Sequence, residues 1–223
     1  MHMIKKISRA WAHLPLHSQK QRRQAIMVTV FVLGLFGVAY SMVQYTAQRY
    51  TQMAEQASLQ YDEFAQILSK NEQEAKVLGE KLLSQYPKTP YAQLVNLNLA
   101  TEAQKAGKSD DAKHYLKTLL NDNQGSLIHI ARLRLARLLT NEQAYEEAIA
   151  LLNQPNQAEF AMLYQDTLGD IYWQQAQFDK ARAAYSKAIQ ETPPGISAAW
   201  IRLKHAQLEQ PSAEDTFEGE NHG

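Results

Sequence analysis

Cysteine is absent from this 223-residue chain. That excludes a disulfide-stapled fold, a thiol nucleophile, a cysteine zinc site and a bacterial lipoprotein anchor. Acidic side chains are absent from the N-terminal region, where Glu55 is the first. Signatures of chemistry are absent as well: there is no Gly-rich phosphate loop, no H-E-x-x-H and no G-x-S-x-G. The 7 histidines are dispersed. His13 and His17 stand four apart, a chelating spacing on a helix, but Pro15 between them breaks that geometry. His129 precedes an apolar helix face and reads as a packing or capping residue. An enzyme is therefore disfavoured, and no catalytic, metal or cofactor residue is assigned. Strand signals are missing too: Val and Ile are scattered, and no Asn-Gly or Asp-Gly turn separates alternating segments.

What is present is a repeat. Leu168 to Pro193 carries Leu168, Gly169, Tyr172, Ala181, Tyr185, Ala188 and Pro193. This resembles the tetratricopeptide (TPR) pattern L-G-x2-Y…A-x3-F-x2-A…P, a helix–turn–helix. Small residues at Gly169, Ala181 and Ala188 let two helices approach, aromatics fill the space between them, and Pro193 ends the second helix. The unit recurs in register. Ala112, Ala148 and Ala181 are spaced by 36 and 33 residues, near the period of about 34. Acidic residues (Asp110, Asp111, Glu146, Glu147, Asp179) mark the start of each second helix, where the helix dipole favours them. Leu99-Ala100 and Leu135-Ala136 occupy the Leu-Gly slots. A weaker unit precedes these, with Ala75, Gly79, Leu82 and Pro87 in its second half and a first helix over 58–69. After Pro193-Pro194-Gly195, a last helix over 196–208 reads as the cap such arrays need. The fold expected is all-α: one transmembrane helix, then a short TPR-like solenoid with a C-terminal capping helix.

Gln24 to Gln48 holds no charged residue and lies between Arg23 and Arg49. It is long enough for a bilayer core, which needs about 20 residues. Lys5, Lys6, Arg9, Lys20, Arg22 and Arg23 flank it on one side, and Arg49 alone stands before Glu55 on the other. The positive-inside bias puts the N-terminus in the cytoplasm and the repeats across the membrane. A cleavable signal peptide is the competitor, with Ala39-Tyr40-Ser41 at the spacing of a cleavage site. The long basic region and long apolar core favour an uncleaved anchor. The expected organisation is a basic cytoplasmic arm (1–23), an anchor (24–48), a TPR-like domain (49–208) and an acidic disordered tail (209–223).

The arm carries Ile4, Ile7, Trp11 and Leu14 at helical steps beside Lys5, Lys6 and Arg9. Two readings stand: a short amphipathic helix on the anionic leaflet, or a positive flank that only orients the anchor. The net charge of zero hides this polarity. Arm and exported part differ in sign, and an acidic repeat domain argues against nucleic-acid binding. The tail holds Glu209, Glu214, Asp215, Glu218 and Glu220 with no Lys or Arg. It has no periodicity, and no specific motif marks it as a docking peptide.

What remains is a binding surface. In such arrays the first helices line the concave face. Alignment on Gly169 puts Asp166, Asp170 and Trp173 there from the third unit, Arg134 and Arg137 from the second, and Thr101 and Gln104 from the first. Leu97 and Thr101 occupy the places of the Lys and Asn that clamp a peptide carboxylate in some TPR proteins. Trp173 reads equally as a partner anchor or as packing between helices. Arg134 and Arg137 read more readily as a solvated face than as anchors.

A single N-in anchor followed by a small TPR array is similar to the YfgM-like family of proteobacteria. The likeness is most specific in Leu133 to Leu138, LRLARL, with Tyr145-Glu146-Glu147-Ala148 behind it. It continues through Gly169-Asp170, Ala181-Arg182 and the Thr192-Pro193…Ser197…Ile201…Leu203-Lys204 segment. The acid-free arm departs from that family's acid-containing cytoplasmic segment. The resemblance implies an ancillary subunit of the SecYEG translocon in the bacterial inner membrane. It implies a periplasmic adaptor near a PpiD-like chaperone, aiding hand-over of exported clients. The alternative is a TPR scaffold or assembly factor for another inner-membrane complex.

Overall fold

The computed structural model describes residues 19–122, 125–155 and 158–208, all of whose regular structure is helical. The expected arm helix, the His13/His17 pair and the acidic tail lie outside them. The helices are α1 (Gln19–Leu68), α2 (Glu72–Gln85), α3 (Pro90–Lys105), α4 (Ser109–Asp122) and α5 (Leu127–Asn141). After them come α6 (Tyr145–Leu152), α7 (Ala158–Gln174), α8 (Phe178–Gln190) and α9 (Ala199–Gln207). The chain divides into two compact units, Met1–Glu55 and Gln56–Gly223.

In the first unit, α1 is long and apolar enough to cross a membrane, with a mean hydropathy of 2.3 in its most apolar window. None of that window is buried. Ile26, Phe31, Phe36 and Val43 are each more than half exposed. A core helix of a water-soluble protein would cover these side chains; a helix in lipid leaves them to the acyl chains. Two of its hydroxyls are satisfied within the helix, as a lipid environment favours: Thr29 donates to the Ala25 carbonyl at 2.9 Å and Ser41 to that of Gly37 at 2.8 Å.

In the second unit, the residues from Gln56 to Leu68 reach α2 through side chains, with Gln60 donating to Gln85 at 3.3 Å, whereas α3 packs closely with α4, α5 with α6 and α7 with α8. Local chemistry sets the ends. Asn71 caps α2 by accepting from the Glu74 N–H at 3.2 Å. Thr89 caps α3, and Pro90 opens it, where its missing N–H costs nothing. The three later pairs turn identically. Lys108, Ala144 and Gln177 donate their N–H groups to the carbonyls of Ala103, Leu139 and Tyr172, at 2.8, 2.9 and 2.9 Å. Each turn needs one left-handed residue, and these are Gly107 (φ 72°), Gln143 (φ 61°) and Ala176 (φ 56°). Only the first has the residue that adopts this conformation freely. Ala176→Gly should therefore stabilise the protein by about 0.5–1 kcal/mol. Urea unfolding of the two proteins measures it, and a lower midpoint for the glycine variant refutes the account.

The recurring alanines Ala75, Ala112, Ala148 and Ala181 are all fully buried, each on a second helix. A continuous core runs from Phe64 through Val95, Leu116, Leu135 and Leu152 to Tyr164 and Ile171. A smaller cluster of Ala181, Tyr185, Ala188 and Ile201 fixes α9 on α8. The last helix starts three residues later than the spacing predicts, at Ala199 rather than Ile196. Pro193 lies beyond the end of α8, which stops at Gln190.

Candidate partner-binding surface

The first helices α3, α5 and α7 carry all seven residues that the sequence assigns to the concave face. The structure separates them into two linked groups and three free side chains. In the first group, Arg134 of α5 donates from Nη1 to Thr101 Oγ1 of α3 at 2.9 Å, with the Leu97 carbonyl at 3.4 Å. Thr101 in turn donates to that carbonyl at 2.8 Å. Arg134 thus couples adjacent repeats.

In the second group, Lys204 of α9 donates from Nζ to Asp166 Oδ1 at 2.8 Å and Asp170 Oδ1 at 2.7 Å. Tyr185 of α8 donates to the same Asp170 oxygen at 2.7 Å. Burial, and then this bond to Asp170, push the Tyr185 phenol pKa far above its usual range. The Lys204 and Asp166 side chains are only 13% and 15% exposed, so water does little to offset the loss of either. Lys204→Met keeps the packing stem and strands Asp166, while Asp170 keeps its bond from Tyr185. It should cost about 1–3 kcal/mol in urea unfolding, and an unchanged midpoint would show that the cluster is solvated.

Gln104, Arg137 and Trp173 are exposed. Among the described residues their side chains make no hydrogen bond, ion pair or ring contact. Trp173 is 36% exposed, which leaves part of the indole open to a partner. Reach over one repeat length explains the division. Thr101 and Arg134 are 33 residues apart and Asp170 and Lys204 34, so equivalent positions of neighbouring repeats meet. Arg137 lies 33 residues before Asp170, but Lys204 already holds that carboxylate.

Sequence reasoning missed Lys204 as a member of this surface. A search for opposite charges one repeat apart finds it. It also missed a buried polar cluster between α5 and α7. Arg132 donates from Nη1 to the Pro155 carbonyl at 2.9 Å and to the Tyr164 hydroxyl at 3.2 Å. His129 Nδ1 lies 2.9 Å from the same hydroxyl, and its ring stacks on Phe160 at 4.8 Å. Arg132 has only donors, so the phenol oxygen accepts from it and the phenol O–H is left to donate to His129. That requires neutral Nδ1, and burial followed by the Arg132 charge lowers the His129 pKa, with Glu159 opposing. Among the described residues, no three His, Asp or Glu gather as a metal site.

A family model described as a tetratricopeptide repeat-like domain matches residues 20–210. An "Ancillary SecYEG translocon subunit" of Neisseria gonorrhoeae (strain ATCC 700825 / FA 1090) is 33% identical over 114 residues. The match covers 51% of this chain and 54% of that one, so the chain spans about half the length of this curated relative. Among solved structures, a thermophilic TPR protein of Thermus thermophilus is 18% identical, with a TM-score of 0.48 over 85% of this chain and 98% of that one. BtubC of P. vanneervenii is 13% identical, with a TM-score of 0.48 over 71% and 82%. The family model and the Neisseria relative together support the YfgM-like resemblance. Helix pairs that share one turn and one buried alanine at a spacing near the repeat length, within a match running from residue 20 to residue 210, settle the broader membership: this chain belongs to the tetratricopeptide repeat-like domain family.

Proposed function

We propose that the protein is a non-enzymatic, membrane-tethered adaptor, an ancillary subunit of the SecYEG translocon. The likeness to the Neisseria subunit carries this reading. Residues 24–48 anchor it in the inner membrane with the 1–23 arm in the cytoplasm, as the basic flank before the span favours. The repeats face the periplasm, where exported chains emerge and a PpiD-like chaperone receives them. Within the concave face, Arg137, Trp173 and Gln104 touch the partner. Thr101, Arg134, Asp166 and Asp170 hold the helices that present them.

Mild-detergent purification of the full chain from its host, followed by mass spectrometry, tests the partner. Translocon subunits should co-purify. Their absence beside one stable unrelated complex sinks the proposal in favour of a scaffold for that complex. Arg137→Ala with Trp173→Ala should cut recovery at least about tenfold, the loss expected when two central contacts are truncated. Unchanged recovery with an unchanged circular dichroism spectrum removes the groove assignment. A single cysteine at position 215 reports topology, because the chain has no other. It should react with an impermeant maleimide once the outer membrane is opened. Labelling only after inner-membrane disruption reverses the orientation.

A further inference from the structure

The last helix of a repeat array ordinarily shows water a polar outer face. α9 does not. It stands in the place of a further unit's first helix, with Lys204 bonded to the Asp170 carboxylate 34 residues before it. Ile201 on its inner side is 6% exposed and packs on Ala181, Tyr185 and Ala188. The first helices α3, α5 and α7 are each followed by a second helix that packs on them. Among the described residues none follows α9, and the family match itself ends at residue 210. The outer side of α9 carries Ala199, Leu203 and Ala206 at steps of four and three, with Trp200 beside them. All four are exposed, Trp200 at 67% and Leu203 at 49%. One large side chain between two small ones at this spacing is a seam shaped for another helix.

We propose that this face receives an amphipathic helix of a partner protein, with an acidic flank, in the position a second helix would take. Trp200 and Leu203 are the apolar anchors, and Arg202 selects the charge. Charge complementarity argues for this occupant. The charged side chains of α9 are all basic: Arg202, Lys204 and His205. Lys204 is held by Asp166 and Asp170, and His205 Nε2 lies 2.8 Å from Ser186 Oγ. Arg202 is exposed and makes no ion pair among the described residues. A guanidinium in that state is matched by a carboxylate on the incoming helix. A second copy docked through the same face would set basic α9 against basic α9, and like charges across an interface oppose association. An anionic lipid surface gains about 1 kcal/mol for each basic residue near it, and α9 offers it one unpaired arginine. The seam shares no residue with Gln104, Arg137 and Trp173, so those three stay available while it is occupied.

Trp200 reports on the face directly. The chain has 3 tryptophans, and Trp11→Phe with Trp173→Phe leaves Trp200 alone. The full chain with these changes is placed in phosphatidylcholine nanodiscs. Two synthetic helical peptides without tryptophan serve as probes, alike in an Ala/Leu seam but with Glu on the flanks of one and Lys on the flanks of the other. The Glu peptide should move the Trp200 emission to the blue and shield it from acrylamide. Its affinity should exceed that of the Lys peptide by at least about tenfold, one exposed ion pair gained and one like-charge contact avoided. Arg202→Glu should reverse this preference, and Leu203→Asp should lower the affinity for the Glu peptide at least about tenfold with an unchanged circular dichroism spectrum. Equal affinity for the two peptides, no shift with either, or a preference that survives Arg202→Glu overturns the proposal. So does a Trp200 already shielded from acrylamide before peptide is added. A blue shift that grows with protein concentration overturns it in favour of a second copy, and one that appears when phosphatidylglycerol replaces phosphatidylcholine overturns it in favour of a lipid surface.

Discussion

Gly169→Ala should destabilise the protein by about 2–4 kcal/mol, although alanine is the better helix former. Propensity alone predicts a gain of about 1 kcal/mol for this change inside a helix. Packing reverses the sign. A Cβ at position 169 of α7 would fall 2.5 Å from Tyr185 Cδ1, and closer still to Cε1. The Tyr185 ring has nowhere to go. It is fully buried on α8 and its hydroxyl is held by Asp170 at 2.7 Å. Relief of the overlap must part α7 from α8, at a cost above the usual 1–3 kcal/mol of an overpacked core. Gly79→Ala is the control. There the added Cβ meets only side-chain ends, Phe64 Cε2 at 3.0 Å and Leu99 Cδ1 and Val95 Cγ1 at 3.1 Å. Shifts of a few tenths of an ångström relieve these, so this variant should lie within about 1 kcal/mol of the parent, the helix gain offsetting the crowding. Urea unfolding of the two variants in the same micelles compares them directly. Similar midpoints would mean that Tyr185 moves more freely than its burial implies.

Gly169 also marks how far the fold is legible in the sequence. Its role follows from the pattern, because a repeat that places an aromatic opposite a glycine leaves one solution for their contact. The turns follow in the same way, with Gly107, Gln143 and Ala176 in one conformation despite three different residue types. Backbone hydrogen bonds set that conformation, and the side chain only adjusts its cost. The site was less legible. Thr101, Arg134, Asp166 and Asp170 fall on the assigned helices, yet their bonds run to neighbours one repeat away or to α9. Contacts of that kind depend on how repeats stack, which a local pattern does not encode. The outer face of α9 is a further case. Trp200, Ile201 and Leu203 are close in sequence, and spacing alone does not say which of them a single packed neighbour will cover. The anchor differs again: composition names it, but α1 runs unbroken to Leu68 because nothing between Gln48 and Leu68 breaks a helix.

Acid should loosen the junction of α5 and α7 through His129, and Tyr164 is the residue whose loss should expose this most. Tyr164 is fully buried and takes the Arg132 guanidinium and the His129 ring on one hydroxyl. Tyr164→Ala removes a large buried ring and the hydroxyl that joins Arg132 to His129, and should cost about 3–5 kcal/mol. Tyr164→Phe keeps the ring and removes the hydroxyl. It leaves His129 without the phenol O–H and should cost about 1–3 kcal/mol. The pH dependence separates packing from protonation. The His129 pKa is lowered in the folded protein, by burial first and by Arg132 second. Between the folded and unfolded pKa values the unfolded chain binds the extra proton. Stability is therefore full above the unfolded pKa of about 6.5 and is lost as pH falls below it. Arg132 on the same helix and Glu159 and Tyr164 on α7 face the ring; Glu159 alone favours the charged form, and burial and Arg132 outweigh it. His129→Gln cannot titrate, so the fall in melting temperature between about pH 7.5 and about pH 5 should be smaller than in the parent. An equal fall in both proteins would place the acid sensitivity elsewhere than His129.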